Sequence, residues 1–182
     1  MKHSPITHHR SALLATLISS AISQTRSLAR GMDPVEVETI GLLAALQNLA
    51  AETEHFFEVH CRFRCGNLDL QVNAPTGLAF YRIAQEAVHN AITHGQARQV
   101  EIELAVAAHH VCLSVRDDGD GFDVGSKNQS GMGLRLMAYR ARSIGARLTI
   151  NSRPRQGTEI RCEAPPAACR PAVEGSSSQP HT

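Results

Sequence analysis

Apolar residues recur every three or four positions in four segments of the chain, and this period predicts four amphipathic helices. In five other segments apolar and polar residues alternate, which is the pattern of half-buried strands. The predicted helices span about residues 11–30, 33–54, 78–94 and 134–144. The predicted strands span about residues 57–64, 99–106, 110–116, 147–151 and 158–163.

The order of these elements predicts a fold of the α+β class. Strands are followed by helices and then by further strands without regular βαβ units, so we expect a two-layer α/β sandwich. Three parts are expected: a helical segment at residues 1–54, the sandwich domain at 55–164 and a disordered tail at 165–182. The tail is rich in Pro, Ser and Ala, and such a composition does not supply a packed core.

Local signals set the expected limits of the second and third helices. Asp33 can cap the free amides of the second helix, and Pro34 suits its first position. We expect that helix to turn four apolar residues toward the core: Val37, Ile40, Leu43 and Ala44. The sequence NAPTG at residues 73–77 predicts a loop before the third helix.

Composition argues against nucleic acid and membrane partners. The 182 residues carry a net charge of +1 and only 4% aromatic residues, so neither a basic surface nor a base-stacking platform is expected. The apolar run at residues 11–22 could belong to a secretory signal peptide. However, its apolar positions continue beyond the run at heptad-like spacing, and the run is too short to span a bilayer. We therefore expect an amphipathic helix and no membrane segment.

The five cysteines form no C-x-x-C pair, and their odd number argues against a disulfide framework. His60, Cys61 and Cys65 could form a metal site, but they lie in an alternating stretch that favours strand side chains. These observations predict a reduced, cytoplasmic chain, whose parent protein could be attached to a membrane.

The helix at 78–94 carries a polar edge beside its apolar stripe. Glu86, Asn90 and His94 recur every four residues, which places them on one side of the helix. The edge could be a solvated face. A carboxylate, an amide and an imidazole in one row would also suit an oxygen-rich Mg²⁺ site beside phosphates.

Two glycine-containing stretches follow further along the chain. Residues 117–121, with the sequence DDGDG, come directly after a strand and could form a tight turn. Alternatively, Asp117 could accept a hydrogen bond from a base amino group, and the glycines would let the backbone approach a flat ring. Residues 131–134, with the sequence GMGL, enter a helix whose first amides could bind phosphates, or form a loop that simply needs glycine.

The order and spacing of these stretches resemble the ATPase domain shared by histidine kinases, DNA gyrase and MutL-type proteins. Residues 81–94 resemble the N-box, 117–121 the G1 box and 131–134 the G2 box, and Gly157 with Thr158 matches the final Gly-Thr of the family. The resemblance covers about residues 57–164. The phrase YRIAQEAVHNAITHG and the segment 22–34, which resembles the end of dimerisation helices, point to NarL/DesK-like histidine kinases.

The resemblance implies that the chain binds ATP and Mg²⁺. It implies that Asp117 holds the adenine amino group with help from Thr158, while Gly119 and Gly121 give the ring room. Asn90 would bind Mg²⁺, and Glu86 and His94 would support the metal and phosphate network. The lid hinge and triphosphate site would be shaped by Gly131, Gly133 and Leu134.

One feature of the family is missing from the sequence. The phosphoacceptor is a His followed by an acidic residue, whereas His8 and His9 precede Arg10 and Ser11. We therefore expect the chain to be the C-terminal part of a kinase that cannot autophosphorylate alone. Its partners would be dimerisation helices that supply the histidine and, indirectly, a response regulator. The alternatives are an anti-sigma-type serine kinase and a non-catalytic nucleotide-binding module.

Overall fold

The computed structural model describes residues 35–66, 70–107, 110–125, 131–165 and 169–171. The predicted helix at 11–30 and the pair His8 and His9 lie outside this part of the chain. The described helices are α1 (Val35–Phe56), α2 (Ala74–Thr93) and α3 (Met132–Ser143). The described strands are β1 (His60–Cys65), β2 (Leu70–Val72), β3 (Gln99–Ala107), β4 (His110–Asp117), β5 (Arg147–Ser152), β6 (Thr158–Ala164) and β7 (Cys169–Pro171).

Five of these strands form one mixed sheet in the order β1-β3-β4-β6-β5. β1 runs parallel to β3, and the remaining neighbours pair antiparallel. Apolar residues face each other across the ladder, as in the pair of Leu104 with Leu113 and the pair of Ile150 with Ile160. This arrangement confirms the predicted α+β class.

All three helices contribute to one hydrophobic core with this sheet. α2 supplies the largest share, including Phe80 and Ile83, which are fully buried. Four alanines on the same helix are also buried: Ala79, Ala84, Ala87 and Ala91. Small residues on that face let the helix pack closely against its neighbours. No described helix is long and apolar enough to cross a bilayer.

The predicted loop at 73–77 is wrong, because α2 begins within it. Asn73 is the N-cap, and its side-chain oxygen accepts a hydrogen bond of 2.9 Å from the backbone N–H of Thr76. Pro75 lies in the first turn, where its missing N–H costs nothing. The segment that resembles a turn is therefore a capped helix start.

The predicted inward face of α1 is only partly observed among the residues whose side chains are described: Leu43 packs against the core, as predicted, whereas Ala44 is not among the core residues. Gly41 has non-helical angles (φ 81, ψ 158) and interrupts the helix, so the apolar period shifts after it. The buried residues beyond this break are Leu42, Ala45, Leu46 and Ala50, whereas Leu43 and Ala44 are only partly buried. The side chains of Val37 and Ile40 lie outside the described part.

The tail predicted to be disordered contains strand β7. It pairs antiparallel with β2, so that Gln71 lies opposite Arg170. Backbone hydrogen bonds of such a ladder need no apolar side chains, which is why composition gave no sign of it.

The four cysteines with described side chains are free thiols: Cys61, Cys65, Cys112 and Cys162. Burial raises the pKa of the Cys61 thiol to about 11 and that of Cys162 to about 12, so both stay protonated at neutral pH. The Nδ1 atom of His60 lies 3.2 Å from the Oε1 atom of Glu54. Among the described residues no group of His, Cys, Asp and Glu could hold a metal ion by itself.

We expect Asn73→Ala to lower the free energy of unfolding by ~1 kcal/mol, because the substitution removes the N-cap of α2. Asn73→Asp retains an acceptor oxygen and is the matched control, expected within a few tenths of a kcal/mol of wild type. Urea denaturation measures both variants. Equal losses for Ala and Asp would contradict the capping role.

Candidate functional site

Asp117 and Thr158 lie opposite each other where β4 ends and β6 begins. The Oδ1 atom of Asp117 accepts a hydrogen bond of 2.9 Å from the backbone N–H of Gly119. Burial raises the pKa of the Asp117 carboxyl, although hydrogen bonds from the backbone N–H groups of Gly119 and Thr158 oppose the shift. A carboxylate has about four acceptor positions, so it retains capacity for a further donor.

The glycines beside Asp117 are packed against backbone. A Cβ atom on Gly119 would collide with the carbonyl oxygen of Gly95. Gly121 has φ +58°, and a Cβ there would collide with the carbonyl oxygen of Arg153. These glycines are therefore required by the folding of the loop itself. Their additional role in giving a ring room stays a prediction.

Residues of the 117–121 stretch form hydrogen bonds with several other parts of the chain. The side chain of Asp118 accepts hydrogen bonds of 2.8 Å from the backbone N–H groups of both Arg98 and Gln99, at the start of β3. The carbonyl oxygen of Gly119 accepts a hydrogen bond of 2.9 Å from the N–H of Gly157. Asp118 thus fixes the loop to the sheet, while Asp117 keeps acceptor positions.

A second group forms where the start of α3 meets the polar edge of α2. A Cβ atom on Gly133 would collide with the Glu86 carboxylate and lie 3.4 Å from the side-chain nitrogen of Asn90. Glu86 and Asn90 are both half-buried. Glycine at position 133 therefore lets the start of one helix approach the carboxylate and amide of the other.

Gly131 and Leu134 flank Gly133 at the start of α3. Gly131 is the N-cap and has no side-chain capping bond, and Leu134 packs partly buried against the core. The first amides of an α-helix have no partner within the helix, so they remain available to other acceptors. The structure thus brings Gly131, Gly133 and Leu134 together at one helix start.

His94 lies on the same edge of α2 as Glu86 and Asn90 but in a different setting. It is the exposed C-cap residue, and its N–H donates to the carbonyl of Asn90 at 3.0 Å. Its ring meets the ring of His89 edge to face, with 6.4 Å between centroids. Burial lowers the pKa of His89. The contacts described for the His94 ring are thus with His89, and its support of a phosphate network stays a prediction.

Gly95 joins the two groups, although sequence reasoning gave it no role. Its N–H donates to the carbonyl of Asn90 at 3.0 Å, and its carbonyl accepts a bond of 2.7 Å from the N–H of Asp120. The end of α2 is thereby tied to the loop after β4. The available signal was a glycine directly after a predicted helix, which commonly marks its C-terminal boundary.

Ser152 and Arg140 were also missed. Ser152, the last residue of β5, contacts the side chain of Thr158 and the loop after β4. The Nη1 atom of Arg140 donates to the carbonyl of Arg82 at 3.2 Å, which crosses from α3 to α2. Burial lowers the pKa of Arg140, and the nearby charge of Glu86 opposes that shift. Each residue looks ordinary in sequence, because its partners are distant in the chain.

An open cavity of about 610 Å³ lies beside Asp117 and Thr158. Its volume falls within the range of small-molecule sites. It is lined by residues from β4, β5, β6 and the adjoining loops: Arg116, Asp117, Val124, Ile150, Asn151, Ser152, Arg153, Gln156, Gly157, Thr158 and Glu159. Glu86 and Asn90 are not among them. A ligand that contacts both groups must therefore extend beyond this cavity.

Relatives of this chain are named as histidine kinases. It is 32% identical over 142 residues to the sensor histidine kinase ComP of Bacillus subtilis, a match that covers 77% of this chain and 18% of that protein. It is 30% identical over 138 residues to the histidine-protein kinase/phosphatase DegS of the same organism, covering 72% of this chain and 36% of DegS. The chain thus spans about a fifth to a third of the length of these relatives.

The fold also matches solved structures. A blue-light activated histidine kinase from Erythrobacter litoralis superposes with a TM-score of 0.58 at 21% sequence identity, over 79% of this chain and 49% of that one. The family model described as histidine kinase-, DNA gyrase B- and HSP90-like ATPase matches residues 76–168, which contain the stretches at 81–94, 117–121, 131–134 and 157–158. The predicted resemblance is therefore confirmed, and the chain belongs to the family of histidine kinase-, DNA gyrase B- and HSP90-like ATPases.

Proposed function

We propose that this chain binds ATP with Mg²⁺ as the catalytic domain of a sensor histidine kinase, and that it transfers the γ-phosphoryl group to a histidine outside the chain. The observation that carries the proposal is the connection between two neighbouring groups of residues. Asp117 and Thr158 form the first, a pair of hydrogen-bond acceptors. Glu86 and Asn90 form the second, where Gly133 brings the start of α3 against them. Gly95 makes that connection through backbone hydrogen bonds. A nucleotide needs both parts, one for its base and one for its phosphates.

The base would bind beside Asp117. The two backbone N–H groups that already donate to this carboxylate orient it and leave acceptor positions for an amino group. Adenine carries such an amino group, whereas guanine carries an oxo group at the same ring position. Thr158 is proposed to assist Asp117 from the neighbouring strand.

The phosphates would bind between the start of α3 and the edge of α2. Unpaired amides at a helix start favour anions, and Gly131 and Gly133 add no side chains of their own there. Asn90 would provide a side-chain oxygen to Mg²⁺, with Glu86 and His94 supporting the network, because Mg²⁺ prefers oxygen ligands. The metal would supply neutralisation of charge on the phosphates. Phosphoryl transfer then depends mainly on positioning.

The phosphoryl acceptor and the partners remain part of the proposal. Dimerisation helices of the NarL/DesK-like kind would supply the histidine, and a response regulator would receive the phosphoryl group from it. We place the reaction in the cytoplasm. The names of ComP and DegS, both histidine kinases, support this reading for the chain.

Asp117→Asn should weaken ATP binding about tenfold or more, because an amide donor would face the amino group of the base. Asp123→Asn is the matched control. Its Oδ1 atom accepts from the N–H two residues ahead at 2.9 Å, as Asp117 does, but it is exposed and does not line the cavity. Isothermal titration measures both. Wild-type affinity in the Asp117 variant would show that the base binds elsewhere.

Asn90→Ala should weaken Mg²⁺-dependent binding of ATP about tenfold, because one oxygen ligand is lost. Binding of ADP without metal should change little. Asn48→Ala, at an exposed position of α1, controls for the same substitution in a helix. Equal losses for both nucleotides would instead make Asn90 a structural residue.

Incubation of the chain alone with labelled ATP and Mg²⁺ should leave no acid-labile, base-stable label on it. Adding dimerisation helices with their histidine should place the label on that histidine, and Asn90→Ala should abolish it. Stoichiometric phosphohistidine on the isolated chain would contradict the proposal. If the supplemented system fails although ATP binds, the non-catalytic module is favoured, and phosphoserine on an added protein would favour the serine kinase.

A further inference from the structure

Ser152 stands at a junction of three elements beside the cavity. Its Oγ atom accepts a hydrogen bond of 2.8 Å from the backbone N–H of Phe122, in the loop after β4. The same atom lies 3.1 Å from the carbonyl oxygen of Gly157 and 2.9 Å from the Oγ1 atom of Thr158. Ser152 and Thr158 are also opposite partners in the ladder between β5 and β6.

The direction of these hydrogen bonds follows from counting protons. A serine hydroxyl has one proton and two acceptor positions. The carbonyl of Gly157, a buried residue, can only accept, so the Ser152 hydroxyl donates its proton there. The proton between Ser152 and Thr158 must then come from Thr158. Ser152 accepts from Phe122 and Thr158 and donates to Gly157, which uses its full capacity.

The Thr158 hydroxyl can therefore act only as a hydrogen-bond acceptor toward a ligand. Its single proton points to Ser152, so the oxygen has acceptor positions left and no proton to donate. Thr158 lines the cavity next to Asp117, which is also an acceptor. Two neighbouring acceptors suit a group with two N–H bonds. An oxo group at the same place would face both acceptors without a proton to share.

We propose that Ser152 is a positioning residue that holds the Thr158 hydroxyl as an acceptor, and that the cavity thereby selects a purine with an exocyclic amino group over one with an oxo group. The inference rests on the proposed nucleotide site and adds the source of its base preference. Without the Ser152 hydroxyl, the Thr158 proton is free to turn toward the base. Thr158 then accepts an amino group less well and tolerates an oxo group better.

The test compares ADP with IDP, which differ in the amino and oxo groups of the base, and both are titrated without metal. Wild type should bind ADP more tightly. Ser152→Ala should reduce the ratio of the IDP dissociation constant to the ADP dissociation constant about tenfold. Ser152→Thr, which retains a hydroxyl, should keep this ratio near the wild-type value. Thr158→Val keeps the side-chain shape and the bonds of Ser152 to Phe122 and Gly157. It should reduce the ratio by a similar factor, and the double variant should add little.

This ratio distinguishes a positioning role of Ser152 from a general loss of structure, because a loosened site would weaken the binding of ADP and of IDP by the same factor. An unchanged ratio in Ser152→Ala or in Thr158→Val, with ADP still preferred by wild type, overturns this inference and leaves the nucleotide site standing. If Ser152→Ala fails to fold, Thr158→Val decides the question alone. If wild-type protein binds neither nucleotide, the proposed function fails, and this inference fails with it.

Discussion

The close backbone packing of the loop after β4 is the constraint on which the site depends. Hydrogen bonds reach this loop from the end of α2, from the start of β3 and from the turn before β6: Asp120 to Gly95, Arg98 and Gln99 to Asp118, and Gly157 to Gly119. At Gly119, Gly121 and Gly157 the backbone lies so close to a neighbouring carbonyl oxygen that a Cβ atom would block the approach. Glycine at these positions is therefore a condition of the fold, before any ligand is considered.

Fixing that loop gives Asp117 a defined direction. The carboxylate is half-buried, and the two backbone donors hold it, so it meets a ligand with little loss of side-chain freedom. The same packing places the end of α2 beside the loop, and Arg140 holds α3 to α2 through the Arg82 carbonyl. The group around Asp117 and the group around Glu86 and Asn90 are thus connected by hydrogen bonds between their elements. In the proposed function, catalysis depends on holding the reacting groups in place, and these connections would favour that.

Much of this arrangement could be predicted from the sequence, because it follows from the regular spacing of apolar and polar residues along short segments. The alternation of Val111, Leu113 and Val115 predicts β4, and the four-residue spacing of Glu86 and Asn90 predicts their common edge. The rest depends on partners far apart in the chain. Ser152 lies 30 residues from Phe122, and Arg140 lies 58 residues from Arg82. No periodicity of side chains encodes such contacts.

The errors in the predicted elements have related causes. Residues 73–77 have turn-like composition, yet Asn and Pro are equally suited to a helix start, and only the bond from Thr76 to Asn73 decides between the two. The break at Gly41 shifts the buried face of α1, because its positive φ interrupts the helix. Glycine can adopt helical angles as well, so the residue type alone does not reveal the break. Strand β7 forms through backbone pairing with β2, which leaves little trace in composition.

A crystal structure of the chain with Mg²⁺ and a non-hydrolysable ATP analogue is the decisive experiment for the proposed nucleotide site. We expect the amino group of adenine at about 3 Å from the Asp117 carboxylate. We also expect the Asn90 side-chain oxygen on the metal and the phosphates at the start of α3. An analogue bound with its base away from Asp117, or with its phosphates away from Glu86, Asn90 and Gly133, would contradict the account.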